Sequence, residues 1–460
     1  MVGRETVMGD QVSSDCEEGS EPRVHKSTWR AIVFAVPPFL LGVTVLGRSS
    51  QNMAQTSYPL LGREVLGVGA GLLGVVVAAA GIAGVMSASL VAARAPTRDC
   101  LRVLLVGEVL GAASFVLFAL PTGTPGLCVG AIALGAGGGL MFPSLMTAIG
   151  QVALEDRGRA LAVFAVALSS SLLVGPLVEA AVLHVVGGSL RGAFGVLLPV
   201  PVAATVISAV AFFKERTVLG GHEPGVRERT PSTPIPSDTT LYSPTRTSTS
   251  SNIQGKTDGS DAVTLAGSSA RGVLSNHGFR VAALTMFSYQ IPFVALVAFG
   301  GLLAHRVDGV SLSGVQLAFA AFFGVSLLVR AVVAAVSPIR RKAPLLLAAM
   351  VLSVVGIAMI GLGRGAGVLV GAMVVLGAPH GANFPLASAT LAEQTSNRDL
   401  GRANARLMAI TSLPTVVVPV IAGWLIASVG YSTMFMLLDI PVGLLSVALV
   451  AELVRGHRLS

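Results

Sequence analysis

The sequence predicts an all-α integral membrane protein with twelve transmembrane helices in two homologous six-helix halves. Three observations carry that prediction. The first is composition: of 460 residues, 53% are hydrophobic and 12% charged, against about 25% charged in soluble domains. The mean hydropathy is +0.78. So few charges cannot cover a water-facing surface of this size, which excludes most soluble enzymes. The 54 glycines follow no strict period and fit close packing of membrane helices. The second observation is a series of apolar stretches of spanning length, and the third is an internal repeat.

In chain order, residues 1–28 carry six acids against three bases and no apolar core, and read as a disordered cytoplasmic tail rather than a cleavable signal. Spanning stretches follow at about 30–59, 67–93, 101–121, 126–150, 160–186 and 192–213, an N-terminal half over 29–213. The run TPSTPIPSDTTLYSPTRTSTSS cannot bury an apolar face, so 214–279 reads as a flexible cytoplasmic linker. A second half over 280–454 has stretches at about 280–303, 314–336, 343–363, 366–390, 405–427 and 432–453, followed by a cytoplasmic C-terminus, 455–460.

Lys and Arg set the orientation. With the N-terminus inside, 25 of the 31 bases fall on the inner side, and the outer loops hold only Arg63, Arg191, Arg306 and Arg364. The net charge of +8 is therefore a topology signal rather than a sign of nucleic-acid binding. Both termini are placed in the cytoplasm, with the plasma membrane as the location. Trp29, Tyr58 and Tyr431 fall near helix ends, where interfacial anchors belong.

The halves repeat in sequence. LGAGGGLMFP at 134–143 matches LGAPHGANFP at 376–385, an offset of 242 that also pairs Val65 with Val307, Gly67 with Gly309 and Arg98 with Arg340. One residue later in register, GRA at 158–160 matches GRA at 401–403, and Pro176 matches Pro419. Two parallel halves predict a substrate site between them near the membrane midplane.

With twelve helices, two halves, a cytoplasmic linker and basic 2–3 and 8–9 loops, the chain over about 30–455 resembles the major facilitator superfamily. The family's loop motif is degraded to RAPTRDCLR, which holds Arg94, Arg98, Asp99 and Arg102, and to SPIRRK, which holds Arg340 and Arg341. SSSLLVGPLVEAA at 169–181 is similar to the helix-5 motif of drug/proton antiporters in that superfamily. Gly175 and Pro176 match it, while Glu179 replaces a glycine. Pro bends a helix and Gly admits a close neighbour, so the pair reads as a hinge; a generic Gly-Pro kink is the alternative.

Charged groups inside spans cost roughly 2.5–3.5 kcal/mol on insertion scales and are functional candidates. Arg48, Glu108, Glu179, Arg330 and Asp439 qualify. Arg48 is followed at helical spacing by Gln51, Asn52 and Gln55, a polar stripe on helix 1. Such a stripe lines either the transport pathway or a polar clasp against helix 5. The resemblance implies that helices 1, 4, 7 and 10 line the pathway, which adds Tyr289, Gln290, His380 and Asn383. Glu179 reads as a proton carrier, as a static partner of Arg48, or as both. Arg330 reads as snorkelling to the cytoplasmic surface.

The glycines at 135–139 lack the Lys-Ser/Thr of a phosphate loop, and no metal spacing or nucleophile elbow is present. No enzyme activity and no cofactor or metal are expected. The expected function is secondary active transport by alternating access: proton-coupled efflux of a small drug-like or amphipathic compound by a monomer in the lipid bilayer. The alternatives are uptake of a metabolite, or a membrane sensor built on a transporter scaffold.

Overall fold

The computed structural model describes residues 37–94, 99–150, 157–220, 276–337, 339, 341–395 and 397–459. Twelve spans follow one another through these residues. In the N-terminal half they are α1 (Pro38–Leu60, continued by a π-helical turn at Leu61–Val65), α2 (Ala70–Arg94), α3 (Cys100–Ala119), α4 (Gly123–Gly150), α5 (Arg157–Val185) and α6 (Leu190–Leu197 and Pro199–Gly220). In the C-terminal half, α7 runs over His277–Ala295, a π-helical turn at Leu296–Gly300, and Gly301–Arg306. It is followed by α8 (Leu312–Ala335), α9 (Ala343–Leu362), α10 (Ala366–Gln394), α11 (Asn397–Thr411 and Leu413–Val429) and α12 (Tyr431–Leu459). Each apolar stretch of the sequence has its helix. Because α6 runs on to Gly220 and α7 starts at His277, the helices take in both edges of the 214–279 linker segment. The tail and 221–275 lie outside the described residues.

Prolines explain the interruptions. Pro59 in α1 and Pro292 in α7 each precede a π-helical turn, since a proline ring removes one backbone donor and crowds the preceding turn. Pro199 starts the second segment of α6, and Pro414 stands at the start of the second segment of α11.

Among the described residues, eleven of the helices are long and apolar enough to cross a membrane. The exception is α1, whose middle carries the polar run Arg48–Asn52 together with Gln55 and Thr56. It packs among other helices. The outer surface is apolar: Trp424, Leu444 and Val447 stand 67–68% exposed, as side chains facing hydrocarbon do.

The repeat is reproduced in the backbone. Glycines in the left-handed region recur at Gly67 and Gly309, at Gly123 and Gly365, and one residue later at Gly187 and Gly430. Only glycine takes that conformation without strain, so the same turns punctuate both halves. Packing repeats as well. A Cβ at Gly135 or Gly139 of α4 would strike the carbonyls of Ala80 or Gly84 of α2; at the equivalent Gly377 and Gly381 of α10 it would strike those of Phe322 and Ser326 of α8. The glycine run that superficially evokes a phosphate loop is a helix-packing seam.

The ends of the bundle differ. One hydrophobic core passes through both halves and contains Tyr58, Phe118, Phe299, Phe319 and Phe435. It lies toward the end opposite the linker, hereafter the far end. At the linker end the halves have separate cores, one around Leu104, Met141 and Phe164, the others around Phe279, Leu391 and Leu407 and around Val281, Met350 and Leu449. At the far end Gly301 of α7 lies against Leu60, Arg306 Nε donates to Glu64 Oε1 at 2.5 Å, and Gly74 and Gly423 bring α2 and α11 into backbone contact. The halves share one core at the far end and keep separate cores toward the linker end.

Overpacking a tight seam costs about 1–3 kcal/mol. Gly135→Ala and Gly377→Ala are each expected to lower the melting temperature of the purified protein. Gly42→Ala, where the added methyl meets nothing within 4 Å, is expected to leave it unchanged or raise it, because alanine favours helix over glycine.

Candidate functional site

A cavity of about 310 Å³ lies between the halves in the middle of the bundle. Arg48, Gln55 and Tyr58 of α1 line it, with Gly81, Gly84 and Val85 of α2 and Gly135, Gly138 and Gly139 of α4. The C-terminal half adds Gln290, Phe293 and Val297 of α7 and Ser412 and Thr415 of α11. Arg48 and Gln290 occupy equivalent positions in the repeat and face the same space from opposite sides. Tyr58 is buried and stacked 5.7 Å from Phe118, so it is a core and cavity residue and not the interfacial anchor suggested by its place near a helix end.

The polar stripe of α1 divides in two. Arg48 and Gln55 line the cavity. Ser49 and Asn52 turn to α5, where they donate to the carbonyls of Ser171 at 3.1 Å and Leu172 at 2.8 Å. Gly175 makes this clasp possible, since a Cβ there would sit 2.8 Å from the Ser49 carbonyl oxygen. The hinge glycine thus marks a helix contact, with Pro176 next to it inside α5. The stripe is thus divided between the cavity and a clasp against α5.

Gln51 lies between the two sets. Its Oε1 accepts from Arg48 Nη1 at 2.5 Å, and Gly138 leaves the space that its amide occupies. The repeat-equivalent pair, Phe293 and His380, meets at 4.8 Å between ring centroids. Polar contact in one half is replaced by ring packing in the other.

Arg48 and Glu179 are not partners. The acid acting on Arg48 is Glu108 of α3, another of the charged residues within the spans. Glu108 is only 2% exposed, and its carboxylate occupies the space left by the missing side chain of Gly47, next to Arg48 in sequence. The Arg48 guanidinium also lies 5.9 Å from the centre of the Phe142 ring, within cation–π range.

Glu179, 1% exposed, accepts a hydrogen bond from Ser57 of α1. The Ser57 hydroxyl accepts in turn from Gln316 Nε2 of α8 at 2.8 Å, and Gln316 Oε1 accepts from Thr56 at 3.2 Å. The chain Glu179–Ser57–Gln316 crosses from one half to the other. Among the described residues, oxygen Oε2 of Glu179 has no partner. Gln316 escapes a search of the spans confined to charged residues, although a buried amide in a largely apolar helix carries a similar signal. Arg330 also joins the halves, donating to Ser169 of α5 at 2.9 Å rather than snorkelling away.

His380 and Asn383 do not line the cavity. His380 Nδ1 lies 2.5 Å from Ser326 Oγ, in a cluster with Tyr289, Phe293, Phe322 and Phe323. Asn383 is fully buried, and among the described residues its two polar side-chain atoms and the Tyr289 hydroxyl have no hydrogen-bond partner. Phe293 separates this cluster from the cavity. Of the loop-motif residues, Asp99, Arg102 and Arg341 are exposed; Arg98 and Arg340 lie outside the described residues, as does the side chain of Arg94.

Breaking an exposed ion pair changes an equilibrium by about 0.2–1 kcal/mol, or up to about fivefold. Arg306→Ala is therefore expected to raise labelling of a cysteine at position 55 by an impermeant thiol reagent from the far side by a factor in that range. Unchanged labelling would remove the Glu64–Arg306 pair from the far-end closure.

The family model for the Major Facilitator Superfamily matches residues 40–361 and, in a second alignment, 278–458. No curated protein matches the chain by sequence. Among solved structures, the nucleoside transporter NupG superposes with a TM-score of 0.64 at 14% identity, covering 90% of this chain and 99% of its own. A peptide transporter POT gives 0.66 at 12% identity, covering 94% and 99%. A bacterial homologue of the human lysosomal transporter Spinster, in an inward-facing and occupied conformation, gives 0.61 at 12%, covering 92% and 98%. These likenesses extend to the fold and do not single out drug/proton antiporters. With twelve spans, a repeated backbone and a family match over most of its length, the chain belongs to the major facilitator superfamily and is a multi-pass membrane protein with the architecture of a secondary transporter.

Proposed function

We propose that the protein is a proton-coupled exporter of a small amphipathic compound in the plasma membrane, acting as a monomer by alternating access with both termini cytoplasmic. The observation that carries this reading is the Glu179–Ser57–Gln316 chain, a buried carboxylate tied through one hydroxyl to the opposite half. With the far end outermost, as the distribution of Lys and Arg places it, the halves are closed to the outside and the cavity belongs to the inward-facing side of the cycle.

A carboxylate only accepts hydrogen bonds, so ionised Glu179 holds the Ser57 hydroxyl as donor and leaves its oxygen lone pairs to Gln316. A proton on the unpartnered Oε2 removes the charge that strengthens the first bond. The tie between the halves then weakens, and the far end opens more readily. Proton entry and far-end opening are thereby linked through a single side chain. Gly175 and Pro176 lie one turn from Glu179 on α5, where a helix bend would move the carboxylate relative to α8.

Glu179→Gln preserves shape and cannot take up a proton. In proteoliposomes this variant is expected to lose proton-driven accumulation while retaining substrate counterflow and a normal gel-filtration profile. Proton-driven accumulation equal to wild type would remove Glu179 from coupling. In inverted vesicles with an imposed proton gradient, substrate should accumulate inside and leave on addition of an uncoupler; net movement in the opposite sense would make the protein an importer.

A further inference from the structure

We infer that the cavity between the halves takes an organic anion with a flat apolar body, its acidic group held by Arg48; this deepens the transport reading above and rests on it. Arg48 is the only charged side chain among the described residues lining the cavity. The two nearby acids are turned elsewhere: Glu108 packs behind α1 against Gly47, and Glu179 is tied into the Ser57–Gln316 chain. The space itself is therefore lined by one positive charge and no negative one.

The guanidinium is oriented and incompletely satisfied. Gln51 fixes one terminal nitrogen at 2.5 Å and the Phe142 ring lies beside the group, but Nε is buried without an acceptor. A planar fork held in this way suits a carboxylate or sulfonate, which brings two oxygens to adjacent N–H groups. Gln55 and Gln290 face the same space from opposite halves, and among the described residues neither side chain has a hydrogen-bond partner. They offer neutral donors on both sides of an acid group. A cation entering the cavity meets the Arg48 guanidinium directly, whereas the Glu108 carboxylate that balances it lies behind α1.

The rest of the wall describes the body of the ligand. Val77, Ala80 and Val85 of α2 and Leu134 of α4 line it between stretches of glycine backbone, and the Phe293 ring faces it from α7. An apolar wall with a single ring suits a flat apolar group that stacks against that ring. An anion in this position touches Arg48 and Gln55 of one half and Gln290 and Phe293 of the other, so its occupancy bears on how the halves close.

The test uses the full chain in nanodiscs and three compounds that share one ring system: naphthoate, naphthamide and naphthylmethylamine. Apparent affinity is read from ligand-dependent thermal stabilisation. Wild type should bind naphthoate about 10- to 100-fold more tightly than naphthamide, the range of a charge-assisted hydrogen bond, and should bind the amine more weakly still. Arg48→Gln should bring naphthoate to the affinity of naphthamide and leave naphthamide unchanged. Because Arg48→Gln leaves Glu108 buried without its counter-charge, the double variant Arg48→Gln, Glu108→Gln repeats the comparison in a charge-balanced interior. Equal binding of the three compounds by wild type, no naphthoate binding at millimolar concentration, or an anion preference that survives in either folded variant overturns the inference. Naphthoate flux across vesicles with and without a proton gradient is measured separately. Selective binding without gradient-driven movement would contradict proton-coupled export and leave the anion site standing, whereas gradient-driven movement of all three compounds would do the reverse.

Discussion

A polar group in hydrocarbon must find a partner within the protein, and this constraint organises the whole molecule. It sends the side chains of α1 inward and makes that helix the least apolar of the twelve. It also places them where helices meet: Ser49 and Asn52 against carbonyls of α5, Ser57 against Glu179 and Gln316, and Gln51 beside Arg48. Such contacts need close approach, and glycine supplies it at positions 47, 138 and 175. Arg48, whose Nε is unpaired among the described residues, lies at the cavity with Gln55 and Gln290, while Asn383 and the Tyr289 hydroxyl are left unpaired away from it.

Duplication supplies the geometry on which that constraint acts. The α2–α4 seam at Gly135 and Gly139 returns as the α8–α10 seam at Gly377 and Gly381, and the left-handed turn glycines recur with it. Function then breaks the symmetry. Gly47, which admits the Glu108 carboxylate, corresponds to Tyr289; Gly138, which admits Gln51, corresponds to His380; Arg48 corresponds to Gln290. The N-terminal half became the polar partner of the cavity and the C-terminal half the aromatic one.

The fold was legible in the sequence because hydropathy and the 242-residue offset each report on a single physical requirement, burial from water and repetition of a turn. The site was legible only in part. Helical spacing put Arg48, Gln51, Asn52 and Gln55 on one stripe of α1, but it does not say which neighbour each flank of the stripe meets. For that reason Asn52 had to be seen against Leu172 before its clasp could be assigned. The partnership of Arg48 with Glu108 rather than Glu179 depends on the rotation of α3, which a nearly uniformly apolar helix does not encode. Gln316 was missed because attention to formal charge overlooks an uncharged amide that is equally costly to bury. His380 and Asn383 were placed by symmetry on the pathway, but Phe293 stands between them and the cavity.

The far end is closed by a shared core, the Leu60–Gly301 contact and the Glu64–Arg306 pair, while the linker ends keep separate cores. Under the proposed alternating access, halves joined in this way exchange closure of one end for closure of the other. The most direct measurement is a pair of inter-half distances by pulsed electron spin resonance, in a chain whose native cysteines are replaced. One label pair sits at the far end, at Val65 and Val307, and the other toward the linker end, at Ser89 and Met408, all four exposed. Alternating access predicts that lowering the pH lengthens the first distance and shortens the second within the same population of molecules. Two distances that change in the same direction, or that both stay fixed across the titration, would contradict rocking of the halves about the central cavity.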